Sequence, residues 1–240
     1  MVGYIYILII GLLMCITVLF TTRSVKIYED YSKQSAKEQS IVAVTVWLSI
    51  LFLFFITYYP VTRDVIKENL NLSYLQYPLL IIIIIIPFLV IKKYKEPISS
   101  LGLTIKPIIP NIFLILVGIV GILYVFLTEI KPLPPLSEII YKFLYLLIFI
   151  GFGEELFYRG FLQSRLQRVI EPVPAWILVV IIFTISHIPH SIFSMKCPVC
   201  LLSPLVSGVF MGFIYMRTQS IFTLVILHAF GDLYAFFKYM

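Results

Sequence analysis

Charge is what this sequence has least of. Lys, Arg, Asp and Glu make up 12% of its 240 residues, against about a quarter in ordinary soluble domains. Hydrophobic residues make up 61%, and the mean hydropathy is +1.04. So little polar surface cannot cover a water-facing globule. The net charge of +6 is spread over short Lys and Arg clusters between apolar runs. No single basic face results, which argues against nucleic acid and points to lipid headgroups and membrane topology. Cysteine is also scarce. Cys15 lies in an apolar run, and Cys197 and Cys200 form a CPVC tetrapeptide in a loop, too few for a disulfide framework. The first segment, MVGYIYILIIGLLMCITVLF, lacks a basic leader and a small-residue cleavage site, so it reads as a retained span. No internal repeat is visible, which weighs against a secondary transporter built from matching halves.

What the chain does have is long apolar runs. A span needs roughly 20 apolar residues to cross about 30 Å of hydrocarbon. Eight stretches qualify: residues 3–20, 41–59, 74–91, 111–128, 139–164, 174–193, 201–216 and 220–237. Lipid cannot satisfy open backbone groups, so the expected fold class is all-α, a polytopic transmembrane helical bundle of about eight spans. The odd-numbered loops hold Arg23, Lys26, Lys33, Lys37, Lys92, Lys93, Lys95, Lys106, Arg159, Arg165, Arg168 and Arg217. The other side holds Arg63, Lys67, Lys131, Lys142, Lys196 and Lys238. That imbalance puts the odd loops in the cytoplasm and both termini outside. The polar stretch from Thr21 to Ser40 is read as a solvated or interfacial helix, and the Ile81 to Ile86 run as lipid-facing bulk.

All three histidines fall in the last 54 residues, and Glu154-Glu155 is an acidic pair set in apolar sequence. Ionisable groups at membrane depth are costly and are functional candidates by default; the structural alternative is that each is a paired polar group. Glu155 and Arg159 stand four apart, so on a helix they share a face and can pair, while Glu154 is turned about 100° away. Phe183 stands one turn before His187, after which Pro189 disturbs the helix. His228 and Asp232 again share a face. Counting at 1.5 Å per residue places Glu154 about 16 Å from the Arg165 hairpin and His187 about 20 Å from Pro174; His228 and Asp232 lie about 12 and 18 Å from Ser220. Three helices thus bring their polar groups to one level.

These residues resemble the CPBP (Abi) family of intramembrane endopeptidases, which includes the type II CAAX prenyl endopeptidases. The resemblance is carried by Glu154-Glu155-x-x-x-Arg159, Phe183-x-x-x-His187 and His228-x-x-x-Asp232, in that order, with an LGL at Leu101 to Leu103. It divides the chain into N-terminal transmembrane spans, residues 1–100, and a CPBP-like catalytic transmembrane core, residues 101–240. It implies that Glu154 and His187 activate a water and that His228 and Asp232 stabilise the oxyanion, with Glu155 and Arg159 completing the site. It also implies a membrane-associated peptide or prenylated protein as substrate, in the plasma membrane if the host is prokaryotic.

Well-known CAAX endopeptidases carry Asn where this chain has Asp232. An ionised Asp accepts but cannot donate. Asp232 is therefore either protonated and a donor, as a lone carboxylate in hydrocarbon tends to be, or ionised and an orienting partner of His228. Zinc is the chemical alternative, with Glu154, His187 and His228 as ligands and water in the fourth position, although no zincin spacing is present. His190 is read as a helix-end residue. Cys197-x-x-Cys200 is read as a tight turn, with redox or zinc spacing as the alternative. Gly208-x-x-x-Gly212 is read as close helix packing inside the bundle. Two other functions compete with proteolysis: a proton-coupled transporter, which should show symmetric broken helices, and a silent immunity or scaffold protein, which need not keep all six motif residues.

Overall fold

The computed structural model describes residues 2–21, 33–58, 73–194 and 196–239, and every regular element among them is helical. Eight helices follow in order: α1 (Val2–Thr21), α2 (Lys33–Tyr58), α3 (Ser73–Tyr94), α4 (Ile108–Glu129), α5 (Leu136–Val169), α6 (Pro172–Ser186), α7 (Leu202–Thr218) and α8 (Phe222–Tyr239). Each of the eight apolar runs falls on one of them. Among the described residues, Gln34–Ile56, Ile108–Glu129, Leu136–Val169, Pro172–Phe193 and Pro198–Thr218 are long and apolar enough to cross a membrane.

Small residues let the helices approach closely at particular points, as expected in a bilayer, where apolar burial gains little over lipid contact. A Cβ on Gly212 would meet the Trp176 ring at 2.6 Å and one on Gly208 the Phe183 ring at 3.4 Å, so this glycine pair packs α7 against α6 within the bundle, as expected. The Leu101 to Leu103 segment has a similar role. A Cβ on Gly160 would run into the Leu101 carbonyl, and Gly102, at φ 70°, accepts a 2.9 Å hydrogen bond from the Ile221 amide. The segment thereby wedges α5 against the start of α8. One apolar cluster runs from Met14, Ala43, Trp47 and Ile83 to Phe157, Phe183 and Leu227, so the core is continuous across residue 100.

Three expectations change. The Ile81 to Ile86 run is not uniformly lipid-facing: Ile81, Ile82 and Ile85 point outward, but Ile83 is buried. Residues 33–40 belong to α2, and 22–32 lie outside the described residues, as do Arg23, Lys26, Arg63 and Lys67. Arg159, Arg165 and Arg168 are not loop cations, since all three are buried in α5. Without them the odd loops still hold nine basic residues against six.

Arg165 and Arg168 lie in a polar knot at the C-terminal end of α5. Glu96 pairs with Arg165 Nη2 at 2.9 Å and with Arg168 Nη1 at 3.1 Å. Gln39 of α2 donates to Glu96 at 2.6 Å and accepts from Arg165 Nε at 2.9 Å. Arg165 also donates to the Ser100 carbonyl at 2.6 Å. Burial alone would raise the Glu96 carboxyl, but the Arg165 charge, the Gln39 hydrogen bond and Arg168 together hold it below the usual carboxylate range. A depressed folded value means that the stabilisation is complete above the unfolded glutamate value of about 4.3 and is lost as pH falls through the lower folded value. Removing one partner of a buried pair costs about 3 to 5 kcal/mol. Glu96→Gln is therefore expected to melt well below the parent in detergent at pH 7, with the gap closing below about pH 4. A gap independent of pH would show that Glu96 is not a charged partner.

Candidate active site

α5 is not a uniform α-helix. Leu146–Gly151 and Glu155–Gln163 are π-helical, and the single α-helical turn Phe152–Glu154 lies between them. Widened turns of this kind occur mostly at functional sites, and here they flank the two carboxylates. The Glu155 to Arg159 pairing expected from their spacing survives the change of helix type: Arg159 Nη1 reaches Glu155 Oε1 at 3.1 Å, and both side chains are buried. The guanidinium lies 4.2 Å over the Phe183 ring, which gives the cation a second apolar-compatible neighbour.

Glu155 Oε1 also accepts from His228 Nδ1 at 2.7 Å. That bond fixes the ring of His228, whose Nε2 then points at Glu154 Oε2, 3.8 Å away, and at Asp232 Oδ2, 3.4 Å away. From α6, His187 stands at the helix C-cap. Its Nδ1 is 2.8 Å from the Phe183 carbonyl of its own last turn, its ring centroid is 4.6 Å from that of Phe183, and its Nε2 is 4.0 Å from Glu154 Oε2. A carbonyl accepts only, so Nδ1 carries the proton and Nε2 has the lone pair. Glu154 Oε2 is buried, has no hydrogen-bond partner and lies between the Nε2 atoms of both histidines.

The structure thus brings together all seven residues of the three motifs, Phe183 included. Asp232 is the one whose surroundings differ from the expectation. It is neither alone nor sealed in hydrocarbon: its side chain is 37% exposed and it stands against His228. His190 lies in the π-helical segment Pro189–Ser194 beyond His187 and is exposed. Cys197 and Cys200 form a disulfide at the entrance to α7, so the CPVC turn is covalently closed. Among the described residues no group of three or more His, Cys, Asp or Glu side chains meets the geometry of a metal site.

Three residues of the site were not read from the sequence. Ser186 Oγ accepts from Trp47 Nε1 and from Tyr158 Oη, each at 2.8 Å, and donates to the Ile182 carbonyl at 2.9 Å. Ser186 and Tyr158 are the residues just before His187 and Arg159, and that adjacency was the available signal. Trp47, about 110 residues upstream of Tyr158, carried none beyond being an indole N–H in an apolar run, which must find an acceptor.

Residues 136–234 match the family model described as Type II CAAX prenyl endopeptidase Rce1-like. No curated protein and no solved structure matches the chain. The matched region holds Glu154, Glu155, Arg159, His187, His228 and Asp232 and excludes the Leu101 to Leu103 wedge. Over residues 136–234 the C-terminal core of this integral membrane protein is thus similar to the Rce1-like type II CAAX prenyl endopeptidases.

Proposed function

We propose that the chain is an intramembrane endopeptidase in which Glu154 and His187 activate a water and His228 stabilises the oxyanion. The observation that carries this reading is the unpartnered Glu154 Oε2 between two imidazole Nε2 atoms. At 4.0 Å, Glu154 and His187 are too far apart for a direct hydrogen bond. One water can bind both at about 2.8 Å. Its oxygen attacks the scissile carbonyl carbon as a proton passes to Glu154, and Glu154 then delivers that proton to the leaving amine. The oxyanion needs a donor. With Nδ1–H committed to Glu155, the ring of His228 donates from Nε2 only as the imidazolium, a state that Glu155 on one side and Asp232 on the other both favour electrostatically.

Substrate approach is supported beside His228. A Cβ on Gly231 would meet nothing within 4 Å, and Gly231 lies on α8 between His228 and the half-exposed Asp232. The substrate is a membrane-associated peptide, with a prenylated CAAX terminus as one form of it. Basic residues in the odd loops place the opening on the cytoplasmic side. The disulfide in loop six agrees, since disulfides persist outside the reducing cytoplasm.

Glu154→Gln keeps the shape of the side chain and removes its basicity. Cleavage of a fluorogenic peptide, farnesylated or plain, is expected to fall by about 10² to 10⁴-fold, with an unchanged melting temperature. Chelator is expected to leave the parent's rate unaltered. Activity above a tenth of the parent's would remove Glu154 from the mechanism, and loss of activity to chelator would restore the zinc reading.

Because Asp232 stands 3.4 Å from His228 Nε2, it acts as a partner that orients the imidazole. Asp232→Asn is expected to lower kcat/KM by about 10 to 100-fold at every pH, as losses of orienting partners do. Retained activity that extends to higher pH would instead make residue 232 a hydrogen-bond donor to the oxyanion.

Orientation is tested with single cysteines in a Cys15, Cys197 and Cys200 triple-Ala background. Lys93→Cys is expected to label from the cytoplasm and Val199→Cys from outside. The reverse pattern would invert the topology and the side of substrate entry.

A further inference from the structure

We infer that Trp47 of α2, acting through Ser186 and together with Tyr158, is a positioning residue for His187, so that the N-terminal helices supply part of the active-site framework. The inference rests on the reading of His187 as a water-activating group. Ser186 is the last residue of α6, and His187 follows it at the cap, where the helix changes from α to the π-helical segment Pro189–Ser194. The imidazole is held directly only by the Phe183 carbonyl and ring, so its place depends on how the end of α6 is fixed. Ser186 Oγ is hydrogen-bonded to capacity instead. Its one proton goes to the Ile182 carbonyl at 2.9 Å, and its two lone pairs take Trp47 Nε1 and Tyr158 Oη at 2.8 Å each. Trp47 and Tyr158 are buried. α2 also braces the chain beyond His187, where the ring of Phe55 meets that of Phe193 edge to face at 5.9 Å. The histidine is thus held on both sides by a helix that carries none of the three motifs and lies outside the family match. Tyr158 additionally packs edge-on against Phe183, with ring centroids 5.0 Å apart. The Phe183 carbonyl fixes the His187 tautomer.

The test is Trp47→Phe in the full chain, with Tyr158→Phe and Ser186→Thr beside it. Misplacing a catalytic group by a fraction of an ångström to an ångström costs up to about 100-fold. Trp47→Phe is therefore expected to lower kcat by roughly 10-fold or more at unchanged KM. Ser186→Thr, which keeps the hydroxyl, is expected to stay within about threefold of the parent, whereas Ser186→Ala falls with Trp47→Phe. The Trp47→Phe and Tyr158→Phe effects should combine less than multiplicatively, because both act through one oxygen. An unchanged kcat, or a rise in KM alone, would overturn the inference even if the melting temperature fell. A second readout does not depend on peptidase activity. Nitrogen NMR of ring-labelled His187 is expected to show a single Nδ1–H tautomer in the parent and a doubled or broadened signal in Trp47→Phe. Identical spectra would overturn the inference whatever the rates, whereas a parent that cuts no peptide would sink the protease reading and leave the spectra to decide the role of Trp47.

Discussion

Two neighbouring carboxylates in an apolar helix set the terms for everything around them. Glu154 and Glu155 repel each other, and hydrocarbon offers no water to separate their charges. The bundle resolves this by treating them unequally. Glu155 receives a guanidinium at 3.1 Å and an imidazole at 2.7 Å, both on one oxygen. Glu154 receives neither at hydrogen-bonding distance. Committing Glu155 Oε1 to both cations is what leaves Glu154 free for chemistry. His228 is part of that settlement, because the bond that neutralises Glu155 also turns the reactive face of the imidazole toward Glu154.

The same economy of polar groups governs the end of the bundle where α3 and α5 finish. The knot of Glu96, Arg165, Arg168 and Gln39 ties α2, the turn after α3 and the end of α5. It stands on the helix that carries both carboxylates, and the Leu101 to Leu103 wedge locks that helix to the start of α8. The depth of Glu154 relative to His228 is therefore fixed by contacts near the membrane surface, where charges are cheaper to hold than at the centre.

Much of this was legible in the sequence. The eight helices followed from the length of the apolar runs, and the Glu155 to Arg159 and His228 to Asp232 pairings followed from spacings of four. Bonds that cross between helices were harder to read. Nothing in the local sequence says that His228 Nδ1 meets Glu155 or that Trp47 meets Ser186, because such pairings depend on the rotation of one helix against another. The basic residues near 165 were misread for a related reason. A count of loop cations cannot distinguish a solvated arginine from one, such as Arg165, that is wholly enclosed by carbonyls and a carboxylate. The exposure of Asp232 was not legible, because it depends on an opening between helices that no single helix encodes.

The widened turns of α5 carry a further implication, for how such a chain can change over generations. In a π-helical stretch the chain fits an extra residue into each turn, and two such stretches flank Glu154. Gaining or losing one residue in the lipid-facing half of α5 would leave its hydrophobic character untouched yet rotate both carboxylates away from the histidines. Lipid-facing side chains along this helix, such as Leu144, Ile148 and Phe149, are therefore free to drift among apolar types, whereas the number of residues between its start and the Arg165 anchor is not. Lineages of this fold should accumulate substitutions there and reject indels.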